Sequence, residues 1–177
     1  MIKVYLTNLS QYTKGNLKGK WLTLPMDDQQ LQKEIKNVLG NDEEYFITDH
    51  ECPFEIGEYI NITELNETMQ EIKELNLDHN EFYALCKSST ISNYKELLQK
   101  IIDQDYTILE VTSENLIDGS DIAFELYENE LISFLGKIPD DLIDYIDWDQ
   151  VWRECEISYN WCEIFMQENG KQFAVNI

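Results

Sequence analysis

Residues Ile138–Cys162 read IPDDLIDYIDWDQVWRECEISYNWC, with acidic and aromatic residues interleaved at helical spacing. On a wheel of 3.6 residues per turn, Leu142, Ile143, Tyr145 and Ile146 fall on one side and Asp140, Asp141, Asp144 and Asp147 on the other. That phase predicts a short amphipathic helix. Carried past Asp147 it fails, because Trp148, Val151, Trp152 and Cys155 would land on the side of the earlier aspartates. A break at Asp147 repairs it: Asp147 suits the N-cap of a second helix, and Gln150 three residues on completes a capping-box pattern. Two short helices would then hold Asp140, Asp141, Asp144, Asp147, Asp149, Glu154 and Glu156 toward water against a single cation, Arg153. A solvated charged face accounts for one such stretch by itself. The rest of the chain decides whether the charge does more.

The chain has 177 residues, of which 43% are hydrophobic and 12% aromatic. That is too much apolar surface for a disordered acidic chain, and the length allows one to three small domains. The charge is anomalous: 35 acids against 13 bases give −22. Residues 1–40 hold six lysines and three acids, and residues 41–177 hold seven bases and 32 acids, so the first segment is +3 and the remainder −25. Self-repulsion of that size weakens a compact state and serves no purpose in folding. Its sign argues against nucleic acid as a ligand, since a DNA binder gains affinity by placing Lys and Arg on phosphates. Anionic membranes are disfavoured for the same reason. A run of about 18 apolar residues is absent, and the start MIKVYLTNLSQ lacks a signal-peptide core. A cytoplasmic protein is expected. Cys52, Cys86, Cys155 and Cys162 form no CxxC pair, so reduced, partly buried thiols are expected.

Outward from the opening stretch, the pattern is α+β. Lys3 to Thr7 and Lys20 to Leu24 read as antiparallel strands joined through a turn region at Gly15 to Gly19. Leu31, Ile35, Val38 and Leu39 then give one buried helical stripe, capped at Asp27 and stopped at Gly40. Tyr45 to Thr48 is a third strand. Helical spacing follows at Leu65, Met69 and Ile72, at Phe82, Leu85 and Cys86, and at Tyr94, Leu97, Leu98, Ile101 and Ile102. Starts are expected at Thr63 or Glu64, at Asp78 and at Asn93, and the outward faces carry mostly Glu. Thr107 to Val111 reads as a strand, and Ile122, Ala123, Leu126 and Tyr127 as a helix opened by Ser120. Ile157 to Met166 and Phe173 to Ile177 flank Glu168-Asn169-Gly170-Lys171, where Asn-Gly suits a type I′ hairpin. The expected organisation is a sheet-plus-helix domain over 1–61, a small helical bundle over 62–104 and an α+β domain over 105–177.

Catalysis finds little support. With so many acids, carboxylate pairs occur at any spacing, so a glycosidase-like acid and base pair cannot be inferred. His50 and His79 are the only histidines, and His50-Glu51-Cys52 lacks a second cluster to complete a metal site, leaving a strand-end histidine. Asp147-Trp148-Asp149 and Asp103-Gln104-Asp105 lack the glycine and terminal glutamate of a calcium loop. No phosphate-binding or serine-nucleophile motif occurs. No catalytic residue, metal or cofactor is therefore expected.

A family resemblance runs in order along nearly the whole chain. Val4-Tyr5-Leu6, Gly19-Lys20-Trp21-Leu22, Tyr45-Phe46-Ile47-Thr48-Asp49-His50-Glu51, Leu65-Asn66-Glu67, Gly136-Lys137-Ile138-Pro139 and Tyr145-Ile146-Asp147-Trp148-Asp149 with Arg153-Glu154 resemble the ArdA antirestriction proteins. The sequence departs from that pattern at His50 and Trp148, where tyrosine is usual, and at Trp152, where a small residue is common. The resemblance implies an elongated, curved chain of three small domains that forms a homodimer through its C-terminal domain. It implies imitation of bent B-form DNA and inhibition of type I restriction-modification enzymes, at the methyltransferase core of specificity and modification subunits, without catalysis. The candidate mimic surface adds Asp118, Asp121 and Glu125, and Glu64, Glu67, Glu71 and Glu74, to the opening acids. The implied dimer contact falls near Tyr145, Trp148 and Trp152. Duplex DNA carries one negative charge per roughly 1.7 Å, so a dimer of about −44 corresponds to roughly 75 Å of duplex. An acidic adaptor or chaperone for another basic protein explains the charge equally well.

Overall fold

The structure, a computed structural model, describes residues 1–88, 91, 93–111, 118–166 and 170–177. In chain order the elements are β1 (Ile2–Asn8), α1 (Leu9–Thr13), β2 (Gly19–Leu24), α2 (Asp28–Leu39), β3 (Tyr45–Glu51), α3 (Ile62–Glu74), α4 (His79–Ser88) and α5 (Tyr94–Ile102). They continue with β4 (Thr107–Val111), α6 (Gly119–Glu128), a 3-10 helix (Asp140–Tyr145), α7 (Trp148–Tyr159), β5 (Trp161–Phe165) and β6 (Gln172–Asn176). The mixed α+β class expected from the sequence is what forms. Contacts gather the chain into two compact units, Met1–His79 with Thr90–Gln104, and Asn80–Ser89 with Asp105–Ile177.

In the first unit β1 lies between β2 and β3, antiparallel to both, with Tyr5 opposite Trp21 and a register shift between Tyr5 and Leu6 on the β3 side. Ile2, Val4, Leu6, Leu22 and Leu24 are buried on one face, and Trp21 and Thr23 are exposed on the other, the alternation a half-covered sheet requires. Asp27 caps α2 by accepting from Gln29 N and Gln30 N, and Gly40 ends it at φ 64. Two fully buried asparagines hold the helices to the strands. Asn8 accepts from Gln11 N to open α1 and donates to the carbonyls of Val38 and Leu39 at the end of α2. Asn66 on α3 accepts from Met26 N and donates to Met26 O, both at 2.9 Å, and also donates to Asp28 Oδ1. Each satisfies buried backbone groups that would otherwise carry a desolvation cost of about 1–3 kcal/mol.

In the second unit β6 lies between β4 and β5, antiparallel to both. Phe173, Ala174 and Val175 are all fully buried, as a central strand covered on both faces demands. The core joins Val111, Ile122, Leu126, Val151, Trp152, Cys155 and Trp161. Helix α7 ends at Asn160, which takes the left-handed conformation at φ 56 and lets the chain turn directly into β5.

Several expectations are corrected. The Gly15 to Gly19 turn region is preceded by a short helix, α1, that the sequence reading omits. Helix α3 is capped by Asn61, not by Thr63 or Glu64, whose backbone N–H groups its side chain receives. Helix α6 is capped by Asp118, which forms a full capping box with Asp121, while Ser120 lies inside the first turn and donates to Asp118 Oδ1. Ile157 belongs to α7 and is 80% exposed, so the last hairpin begins only at Trp161. Asn169 of the proposed hairpin turn lies outside the described residues. Gly170 has φ 72, and the N–H of Met166 bonds Lys171 O at 2.7 Å.

Trp152 is seated over Gly119, the first residue of α6, where a Cβ would overlap the indole Cδ1 and Nε1. A bulky residue at 152 therefore requires a glycine at 119. We expect Gly119→Ala to destabilise the protein by about 1–3 kcal/mol through overpacking, and Trp152→Ala by about 3–5 kcal/mol through the void it leaves. In urea unfolding the double variant should lose less than the two single losses together, by at least about 0.5 kcal/mol. Additive losses would show that the two residues do not touch.

Candidate functional site

The opening acids sit on three consecutive pieces of the second unit. After Pro139 the chain forms a 3-10 helix in place of the expected α-helix, so residues three apart are eclipsed. Asp141 and Asp144 share one exposed line, and Leu142 and Tyr145 share another, 49% and 83% exposed. The predicted apolar side is thus not buried as a whole; Ile143 and Ile146 are its half-buried part. Asp147 ends this piece and caps α7, accepting from Gln150 N at 3.0 Å as its sequence position suggests. Asp149 in the first turn of α7 faces the positive end of the helix dipole. Asp140, Asp149 and Glu156 are exposed, and Glu154 is half-buried. Arg153 is exposed and makes no ion pair among the described residues.

On α6, Asp118 and Asp121 are exposed and Glu125 is half-buried. The Ser120 hydroxyl and the N–H groups of Asp121 and Ser120 hold the Asp118 carboxyl below the usual aspartate range, since they bond its charged form. Glu125 is shifted the other way, first by desolvation and then by the Asp121 charge one turn before it. The first unit carries a separate acidic stripe. Glu64, Glu67, Glu71 and Glu74, at spacings of three and four, occupy the exposed side of α3 opposite buried Leu65, Met69 and Ile72. Glu64 bonds Lys95 at 2.6 Å. Of all the candidate carboxylates it alone has a cationic partner among the described residues.

The three aromatic residues placed near a dimer contact are treated differently by the fold. Trp152 is 7% exposed within the core. Trp148 is half-buried against Phe124 and Tyr127, with ring centroids 5.2 and 5.5 Å away. Tyr145 projects into solvent. Glu128, the last residue of α6, and Glu130, just past its C-cap Asn129, are exposed as well.

Chemically this surface offers planar anionic acceptors spaced along helices, suited to bidentate arginine and to lysine. Among the described residues, no group of three or more His, Cys, Asp or Glu side chains is arranged to hold a metal ion. An open cleft of about 440 Å³ lined by Tyr127, Glu128, Glu130, Ile132, Ser133, Gly136 and Lys137 contains no nucleophile paired with a base. No described helix is long and apolar enough to cross a membrane. A family model described as antirestriction protein (ArdA) matches residues 4–168. Comparison with curated proteins finds no match.

The shift at Glu125 has a definite sign in stability. Its carboxyl is harder to ionise folded than unfolded, so its charge opposes folding at neutral pH, and the opposition fades as pH falls through the raised folded value. Glu125→Gln should therefore raise the melting temperature at pH 7 and raise it less toward pH 5. Thermal unfolding followed by circular dichroism between pH 7 and 5 checks this.

Proposed function

The chain belongs to the ArdA antirestriction protein family, and on that premise we propose that it acts as a DNA mimic, occupying the DNA-binding groove of type I restriction-modification enzymes. The observation that carries the reading is the row of unpaired carboxylates on the 3-10 helix and α7, Asp140, Asp141, Asp144, Asp149 and Glu156, all exposed. On this reading they take the part of phosphates toward a groove lined with Lys and Arg. Apart from Asp149, which lies in the first turn of α7, none of them caps a helix or pairs with a cation among the described residues. Catalysis plays no part: the protein inhibits by occupancy, and the target's methyltransferase core of specificity and modification subunits is the expected seat.

We further propose a homodimer through the C-terminal unit. Support comes from Tyr145, Leu142 and Ile157, whose exposed apolar surface is otherwise unused. With Trp152 committed to its own core, Tyr145 and the outer edge of Trp148 remain as the aromatic part of such a contact.

Two measurements test this reading. Affinity for a purified type I enzyme should fall at least about tenfold between 50 and 200 mM salt, because the attraction is carried by screened surface charge. A salt-independent affinity would sink it. Single changes such as Asp144→Asn should weaken binding by less than about fivefold, since each exposed pair is worth little. Reversing Asp140, Asp141, Asp144 and Asp149 together to lysine removes four attractions and adds four repulsions, so binding should collapse. Sedimentation must accompany that variant: loss of binding by an intact dimer supports the mimic surface, and loss with dissociation points to an interface.

A further inference from the structure

A cluster of nucleophilic and titratable groups that the acidic surface does not use lies at the end of β3. Cys52 Sγ donates to Phe54 O at 3.0 Å and lies 3.2 Å from His50 Nδ1, so that rotation about the Cβ–Sγ bond turns the proton to the imidazole, and the Glu55 carboxylate is 3.8 Å from His50 Nε2. The short turn is anchored, because Phe54 is 8% exposed and stacks on Tyr94 with centroids 5.8 Å apart. The order thiol, imidazole, carboxylate is that of an activated nucleophile with its base and an orienting acid. Glu55, though almost wholly exposed, lies at ion-pair distance from Nε2, the ring nitrogen that does not face the thiol. The other nearby carboxylates are engaged: Asp49 accepts from His50 N at 2.8 Å, and Glu51 pairs with Lys3 at 2.6 Å.

The remaining described thiols are placed differently. Cys155 is fully buried and its thiol is pushed up to about 11, first by desolvation and then by the Glu154 charge. Burial also pushes up the Cys162 thiol, which donates to Ser88 O. Cys86 is buried. Cys52 is half-buried with a base at hydrogen-bond distance.

We propose that Cys52 is an activated thiol, with His50 as its base, and a site of reversible thiolation by low-molecular-weight disulfides. The Cys52 thiol passes its proton to His50 Nδ1, and the thiolate attacks one sulfur of the disulfide. A Cys52 sulfur–sulfur bond forms as the disulfide's own bond breaks, and the leaving thiolate takes the proton from His50. One thiol and one disulfide become one mixed disulfide and one thiol, and the disulfide is the only oxidant needed.

The test compares alkylation of Cys52 by iodoacetamide at pH 7 in the folded protein and in guanidinium, read by peptide mass spectrometry. Partial burial alone slows a thiol on folding, whereas activation speeds it. An ordinary thiol is about 3% thiolate at pH 7, so full activation leaves room for about 30-fold, reduced to about tenfold by the lower nucleophilicity of a more acidic thiol. Folded Cys52 should react about tenfold faster than unfolded Cys52, and His50→Gln should bring the folded rate below the unfolded one. A folded rate at or below the unfolded rate in the native sequence overturns the proposal whether or not the variant folds. So does a folded His50→Gln protein that reacts as fast as the native one. Incubation with glutathione disulfide should add one adduct at Cys52, removed by dithiothreitol; no adduct there overturns the thiolation step.

Discussion

Like-charge repulsion is the constraint under which every other choice in this chain is made. With 35 acids against 13 bases, the surplus carboxylates must stay in water, and the helices must be amphipathic enough to keep them there. The carboxylates then divide by what the fold does with them. Asp27, Asp118 and Asp147 are N-caps, and Asp28, Glu64, Asp121 and Asp149 lie in first turns, where the helix dipole favours negative charge. Those acids help build the structure. Glu67, Glu71 and Glu74 repel one another on a single face of α3, and Asp141 and Asp144 are eclipsed on the 3-10 helix. Neither group has a cationic partner among the described residues.

The division bears on how the surface can be read by substitution. A change at Asp147 or Asp118 alters a helix start as well as a charge, so lost binding there would mix folding with recognition. Asp140, Asp141 and Asp144 accept no hydrogen bond from a capped backbone and carry charge alone, while Asp149 also has a favourable place in the first turn of α7. Glu125 is a mixed case of the opposite kind, since its half-buried carboxyl opposes folding when ionised.

Strands and helix interiors were legible because each obeys one period over several residues: Ile2, Val4 and Leu6 at two, Leu65, Met69 and Ile72 near 3.6. Caps were legible at Asp27 and Asn93, and were missed by two or three residues at Asn61 and by two at Asp118. The 3-10 helix was not legible, because six residues cannot separate a repeat of three from one of 3.6, and the difference decides whether Leu142 and Tyr145 face the core. Long-range dependence was hidden as well. Nothing near Asn66 announces that it completes the backbone at Met26, and nothing near Gly119 announces Trp152. Among the candidate acids, exposure could be inferred from the apolar pattern, but the half-burial of Glu125 and Glu154 depends on neighbouring elements packing over them.

The second unit presents two kinds of surface whose physics differ. Exposed carboxylates act over about a Debye length and are weakened by salt, so they govern how fast a basic groove is found and how its face is oriented. Exposed apolar groups act only on contact and gain by leaving water, which salt does not screen. Tyr145 and Leu142 stand on the same six-residue 3-10 helix as Asp140, Asp141 and Asp144. Its three residues per turn set Asp141 and Asp144 on one line and Leu142 and Tyr145 on another, with Asp140 and half-buried Ile143 on the third. The 3-10 helix therefore presents an apolar line and a charged line side by side on one short stretch.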